Sequence, residues 1–260
     1  MTQASPSTDF NSSGLIRLLA RLSLVEASGS RPFPAERLGQ WLNVADAITL
    51  HAAQSAGTEM APAAQPGPQP GSAAAAAGEV ARVRAALLDL ITARCSPAGS
   101  VSGGRIRLPL TKSGMDPETA AVYGPYRRFH LALQSDMEAG VRTVRGSIRR
   151  ALAPVSAGLA RLAALDEALE RILAVREREL LATTLPALLE KRFEQLLAAH
   201  RQALIDSSAP ADDPGLWMQP GGWLAVFRDE LQAALIAEVD LRLQPALGLA
   251  EAWQNAVGRN

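Results

Sequence analysis

The chain has 260 residues, 48% hydrophobic but only 4% aromatic, and its 26 Lys plus Arg balance 26 Asp plus Glu to a formal net charge of +0. That balance excludes a global field that would bind nucleic acid indiscriminately, and an apolar mass of Leu, Ala and Val suits packed helices in one domain or two helical lobes. The single cysteine, Cys95, excludes an intrachain disulfide and a four-cysteine zinc site.

Asn11, Ser12 and Ser13 are N-cap residues ahead of Leu15, Leu18, Leu22 and Val25, whose spacing of three, four and three predicts a first amphipathic helix. Arg17 and Arg21 interrupt that apolar run and Glu26 follows it, so it is not expected to be a signal peptide. Pro32 and Pro34 set up a second start, with Leu38, Trp41, Leu42, Ala45 and Ile48 keeping the helical period to about Gln54 and a break near Asn43. Residues 57–78 hold four prolines, several glycines and the run Ala73 to Ala77, which predicts a disordered insert. A helix is expected to resume at Glu79 on Val80, Val83, Leu87, Leu90 and Ile91 and to stop before Pro97. Residues 96–116 form an irregular loop in which Arg105 to Leu108 alternate, as a short extended piece or a loop would.

Asp116-Pro117 opens a helix that Gly124-Pro125 must interrupt. From Tyr126 to Leu152 an apolar stripe of Met137, Val141, Val144 and Ile148 is flanked by Arg142, Arg145 and Arg149, about 100° round the helix. Beyond Pro154, the heptad-like Leu162, Leu165, Leu169 and Ile172 predict a long helix, with a kink or a new start at Thr183 to Pro186. Leu188, Leu189, Phe193, Leu196 and Leu197 carry the pattern to about Ile205, so 155–206 reads as a long antiparallel helical hairpin. After the turn at Asp212 to Gly215, a last helix from about Gly222 is expected to bend or end at Pro245. The fold class is therefore all-α, a helical bundle with that hairpin and the Ala/Gly/Pro insert. Its organisation is 1–56, the insert 57–78, a middle helical segment 79–154 and the helical segment 155–260.

Chemistry is sparse. His51, His130 and His200 stand alone, with neither an HExxH nor a Glu-x-x-His arrangement. Cys95 sits beside Arg94 at a helix end, and a lone cysteine of this sort is more often buried and inert than reactive. Thr111-Lys112-Ser113 lacks the glycines of a phosphate-binding loop. No catalytic, metal or cofactor residue is expected. The one candidate patch is Arg127, Arg128, Arg142, Arg145, Arg149 and Arg150, with Tyr123, Tyr126 and Phe129 nearby. It could grip phosphates or an acidic helix, or pair internally with acids of the 166–194 helix. Opposite charge in the two parts of the chain, +5 over 1–160 against −5 over 161–260, favours internal pairing. The seam of Leu162, Leu165, Leu169 and Ile172 reads first as intramolecular packing and second as an oligomer or partner interface.

Six blocks, FNSSGLIRLLARLSLVE, AERLGQWLNVADAITL, YRRFHLALQSDMEAGVRTVRGSIRRAL, RLAALDEALERILAVREREL, LPALLEKRFEQL and DLRLQPALGLAEAW, resemble an uncharacterised proteobacterial family known only as a domain of unknown function. The resemblance implies no activity, cofactor or catalytic residue; members of that family tend to be encoded near MotA/ExbB-like and OmpA-like envelope proteins, which implies a cytoplasmic accessory role. The expected function is a non-enzymatic helical interaction or adaptor protein that binds a protein partner or itself through helix faces. The alternatives are anion or nucleic-acid binding through the Arg-rich helix, and a helical-bundle enzyme. No stretch approaches the roughly 20 apolar residues of a membrane span, so the expected location is cytoplasmic.

Overall fold

Apolar residues recurring every three to four positions drive the chain into helices, and helices are the only regular element among the described residues, 14–22, 24, 41–59, 72–97, 107–207 and 212–258 of a computed structural model. In order they are α1 (Gly14–Arg21), α2 (Val44–Glu59), α3 (Ala73–Cys95), the short α4 (Pro117–Ala120), α5 (Gly124–Leu152), α6 (Ala157–Glu179), a π segment (Leu180–Thr184), α7 (Leu185–Ser207), a 3-10 turn (Pro214–Leu216) and α8 (Trp223–Val257). The all-α class holds. The caps expected at Ser12 and Ser13, the starts at Pro32 and Pro34, Val25, and the alternating Arg105-Ile106 lie outside the described residues. Arg107 and Leu108 are not in a strand.

Side-chain caps explain most of the starts. The Asn43 amide N–H donates to Asp46 Oδ2 at 3.0 Å while the Asp46 N–H donates to Asn43 Oδ1 at 2.9 Å, a reciprocal box that accounts for the break before α2. Asp116 accepts from the Thr119 N–H at 2.9 Å ahead of Pro117, and Ser156 accepts from the Leu159 N–H at 3.2 Å. At α8 the main chain does this work, since the Trp217 carbonyl accepts from the N–H groups of Leu224 and Ala225 at 3.1 and 3.0 Å. That carbonyl lies where a β-carbon at position 222 would sit, so Gly222 is required there.

Two expectations are corrected and a third is narrowed. The insert is shorter than 57–78: α2 runs to Glu59, and Ser72 caps a helix that begins at Ala73, its Oγ accepting from the Ala75 N–H at 3.1 Å. The alanine run is the best helix-former available and needed only a cap to nucleate. The 155–206 segment has no hairpin turn, because α6, the π segment and α7 form one continuous rod from Ala157 to Ser207. Antiparallel pairing falls one element earlier, between α5 and α6 across the turn at 153–156, where Gln134 meets Leu181 and Arg145 meets Asp166. Of the two outcomes expected at Pro245, a bend or an end, the end is excluded, because the last helix continues to Val257. Leu243, Ala246, Leu249, Ala250 and Trp253 are buried on both sides of it, and that burial outweighs the roughly 3 kcal/mol that an interior proline costs.

Helix α8, the longest uninterrupted α-helical stretch among the described residues, is the centre. It packs on α1, α3, α5 and α7, so residues from Leu15 to Trp253 share one core. Across its first turns Tyr123, Tyr126, Phe193, Trp223 and Phe227 interlock, mostly edge to face, with centroids 5.1 to 6.1 Å apart. The Thr111 hydroxyl donates to the Pro214 carbonyl at 2.6 Å and the Ser113 hydroxyl to Asp213 at 3.0 Å, fastening the 107–116 loop to the turn before α8.

Candidate functional site

A groove of about 1060 Å³ lies between α5, α6 and α8. Its α5 wall runs from Leu131 to Arg150, about 28 Å at 1.5 Å per residue. Arg142, Arg145, Arg149 and Arg150 line that wall, Arg171 and Arg178 line the α6 wall, and Arg242 comes from α8, against Glu138, Glu167, Glu170 and Glu177. The polarity is graded: Leu131, Leu181, Ala182, Leu241 and Pro245 cluster toward the π segment, and charge dominates toward the turn at 153–156.

Ion pairs bridge the charged end. Arg145 grips Asp166 through both Nε and a terminal nitrogen, at 2.9 and 2.7 Å, and Arg149 pairs with Glu170 and, at 3.4 Å, with Asp166. The side chains of Arg145, Arg149 and Asp166 are only 11–12% exposed, so these are shielded, geometrically fixed pairs rather than solvated surface contacts.

Beneath the other end is a buried polar network. Glu238 and His130 are fully buried and Gln134 nearly so. Glu238 Oε2 accepts from Gln134 Nε2 at 2.9 Å and lies 3.4 Å from His130 Nε2. Oε1 accepts from Arg242 Nε at 2.8 Å, and Arg242 reaches on to Glu177 at 2.9 Å. Burial pushes the Glu238 carboxyl up, but the His130 hydrogen bond, the Arg242 charge and the Gln134 amide outweigh it and hold it below its ordinary value.

Pro186 explains why Gln134 is needed. The Leu185 N–H bonds the Leu180 carbonyl, five residues back, and Pro186 has no N–H to offer the Leu181 carbonyl. Gln134 Nε2 supplies the missing donor at 2.7 Å, so one amide satisfies both the π segment and the buried carboxylate. The apolar stripe gave no hint of this: Gln134 and His130 lie in the Tyr126–Met137 stretch among other polar residues, Arg127, Arg128, Ser135 and Asp136, and Glu238 lies more than a hundred residues away.

The arginine patch divides. Arg145 and Arg149 pair internally, as the charge split favoured, and Arg142 pairs with Glu138 on its own helix. Arg150 donates to the Gly146 carbonyl at 3.3 Å, while Arg127 and Arg128 are exposed near the start of α5, away from the groove walls. Tyr123, Tyr126 and Phe129 are buried and offer no face for stacking a base. Arg171 and Arg178, which the sequence did not single out, have no ion-pair partner among the described residues. Leu165 and Leu169 face α2 and Leu162 packs against the core, while Ile172 is half-buried.

The isolated histidines also resolve. His200 Nε2 lies 3.0 Å from Asp212, which accepts from the Trp217 indole at 2.7 Å, and the ring stacks on Trp223. His51 is exposed on α2. Cys95 is buried, and that burial pushes its thiol up to about 12, with smaller opposing effects from Arg228 and Asp229.

The chain belongs to a family of proteins of unknown function: the family model described as "Protein of unknown function (DUF3348)" matches residues 1–255, in line with the six sequence blocks. Neither a curated protein nor a solved structure matches it.

Proposed function

We propose that this member of a family of unknown function is a non-enzymatic helical interaction protein whose groove between α5, α6 and α8 takes an acidic helical segment of a protein partner. The observation that carries this is the pair Arg171 and Arg178. They stand seven residues, about 10 Å, apart on one wall without carboxylate partners among the described residues, opposite a wall that itself bears arginines. A helix laid along the groove could place carboxylates at a matching interval and apolar residues against Leu131, Leu181 and Leu241.

Seven lining arginines against six carboxylates, the four lining glutamates plus Asp166 and Glu238 that pair with Arg145, Arg149 and Arg242, leave the groove at +1, modest for a phosphate backbone that carries one charge per roughly 1.7 Å of duplex. The glutamates would repel such a backbone along its whole length, and the aromatics that could stack bases are buried. No helix among the described residues is long and apolar enough to cross a membrane. The envelope-protein neighbourhood implied by the family resemblance makes envelope assemblies the first place to seek the partner.

The test is co-purification with the full chain, its Arg171→Glu/Arg178→Glu variant and its Arg127→Glu/Arg128→Glu variant, followed by measurement of Kd for each captured protein. A partner lost by the groove variant and kept by the other supports the reading. Capture indifferent to groove charge overturns it, and steeply salt-dependent binding of labelled duplex DNA by the groove would assign it to nucleic acid instead.

A further inference from the structure

Among the arginines along the groove, Arg242 is held unlike the rest. Its Nε donates to Glu238 Oε1 at 2.8 Å and Nη2 lies 2.8 Å from the same oxygen, while Nη1, on the other side, donates to Glu177 Oε1 at 2.9 Å. The two carboxylates differ in what they can do. Glu238 is fully buried and is bonded by Gln134 as well, so that side of the guanidinium is fixed. The Glu177 carboxylate has no second hydrogen bond or ion pair among the described residues, and its side chain is 45% exposed against 8% for Arg242. Glu177 stands on α6 and Arg242 on α8, so the pair joins two walls of the groove at its apolar end, one helical turn from Leu181 and next to Leu241.

We infer that Glu177 is a built-in competitor for the occupant of this groove: its carboxylate holds the place on Arg242 Nη1 that a carboxylate of the docking helix takes, and binding exchanges one for the other. This rests on the reading of the groove as a site for an acidic helix. Arg242 thereby joins Arg171 and Arg178 as a cation within reach of the occupant, although in the free chain it is paired on both sides. Exchange keeps the guanidinium bonded to two carboxylates throughout, so a buried charge is never left without its partner, which is the costly state. What leaves is a half-exposed carboxylate that water solvates. The other pairs along the groove are less suited to this. Arg145 and Arg149 share Asp166 and Glu170, so displacing either acid breaks more than one contact, and Asp166 is shielded from water. Arg142 and Glu138 are both more than half exposed and lie on one helix, so their pair joins no walls.

Fluorescence anisotropy on the full chain tests the exchange, at a single salt concentration of about 0.1 M so that screening is constant. The probe is a capped, labelled, alanine-based helical peptide of about 20 residues, long enough for the wall of the groove. It carries glutamates on one stripe at intervals of three and four, with two leucines at one end. Glu177→Gln and Glu177→Asp should each bind it about threefold to fivefold more tightly than the wild type, the range that a pair with one exposed member can contribute. The aspartate keeps the charge and gives up the reach to Arg242, so its gain separates competition from a change in net charge. Glu167→Gln removes the same charge from the same wall, at a residue with no ion pair among the described residues, and should change Kd by less than twofold. Equal Kd for wild type and Glu177→Asp, weaker binding by either Glu177 variant, or an equal gain from Glu167→Gln overturns the inference. The groove reading survives any of these so long as Arg171→Glu/Arg178→Glu abolishes binding. A wild type that does not bind the peptide overturns both.

Discussion

Replacing Gln134 with Leu should expose the link between the π segment and the buried network. The substitution strands the Leu181 carbonyl, which Pro186 cannot serve, and removes one donor from Glu238. A stranded buried carbonyl costs about 1–3 kcal/mol and a lost hydrogen bond to a charged group about 1.5–3 kcal/mol. The added apolar burial returns about 1 kcal/mol, so the net loss should be about 3 kcal/mol. For a domain this long that lowers Tm by about 6–12 °C. Pro186→Ala supplies an N–H five residues beyond Leu181, so in that background the carbonyl no longer depends on Gln134 and the same substitution should cost only about 1.5 kcal/mol. The assay is a four-member cycle followed by urea unfolding at 222 nm. Additive effects, agreeing within about 0.5 kcal/mol, would refute the coupling.

Glu238 carries a depressed folded pKa, so its contribution is complete above its unfolded value and fades as pH falls through the folded one. The stability gap between wild type and Glu238→Gln should therefore narrow below about pH 4.5, near the unfolded pKa, and a gap unchanged from neutral to strongly acid pH would contradict that assignment. Cys95, its thiol raised to about 12, should resist a thiol reagent in the native chain and react on unfolding, as a timed absorbance assay would show. Gly222→Ala should lower stability by about 2 kcal/mol or more in urea titration, because the new methyl meets the Trp217 carbonyl that caps α8; a neutral result would mean that this cap is dispensable.

Periodic burial was legible in the sequence. Leu15 and Leu18, the Met137 to Ile148 stripe, and Leu189 with Phe193 all lie in the core where their spacing put them. Breaks set by local chemistry were legible too, at Asn43 and Asp116. What was hidden depends on partners distant in the chain. Pro245 looks like a terminator until Ala246, Leu249 and Trp253 are seen buried beyond it, and Thr183 to Pro186 looks like a turn until Gln134 is seen completing the backbone there. The groove was half legible. Arg145 and Arg149 were marked by their position beside the apolar stripe, whereas Arg171 and Arg178 gain meaning only from the wall they face. The Glu238 network left no local trace, because a single Gln, His and Glu are ordinary until the fold removes water from all three.

The wide turn at Leu180–Thr184 also works as an index mark. An α-helix advances about 100° per residue, so deleting one residue there would regularise the backbone locally and rotate everything after it by that angle. Leu189 and Phe193 would swing out from under Trp223 and Phe227, while Leu159 and Ala163 upstream kept their places. Two hydrophobic patterns that are out of step are thereby aligned on one shaft, and the chain should tolerate substitution within 180–184 far better than any change in its length.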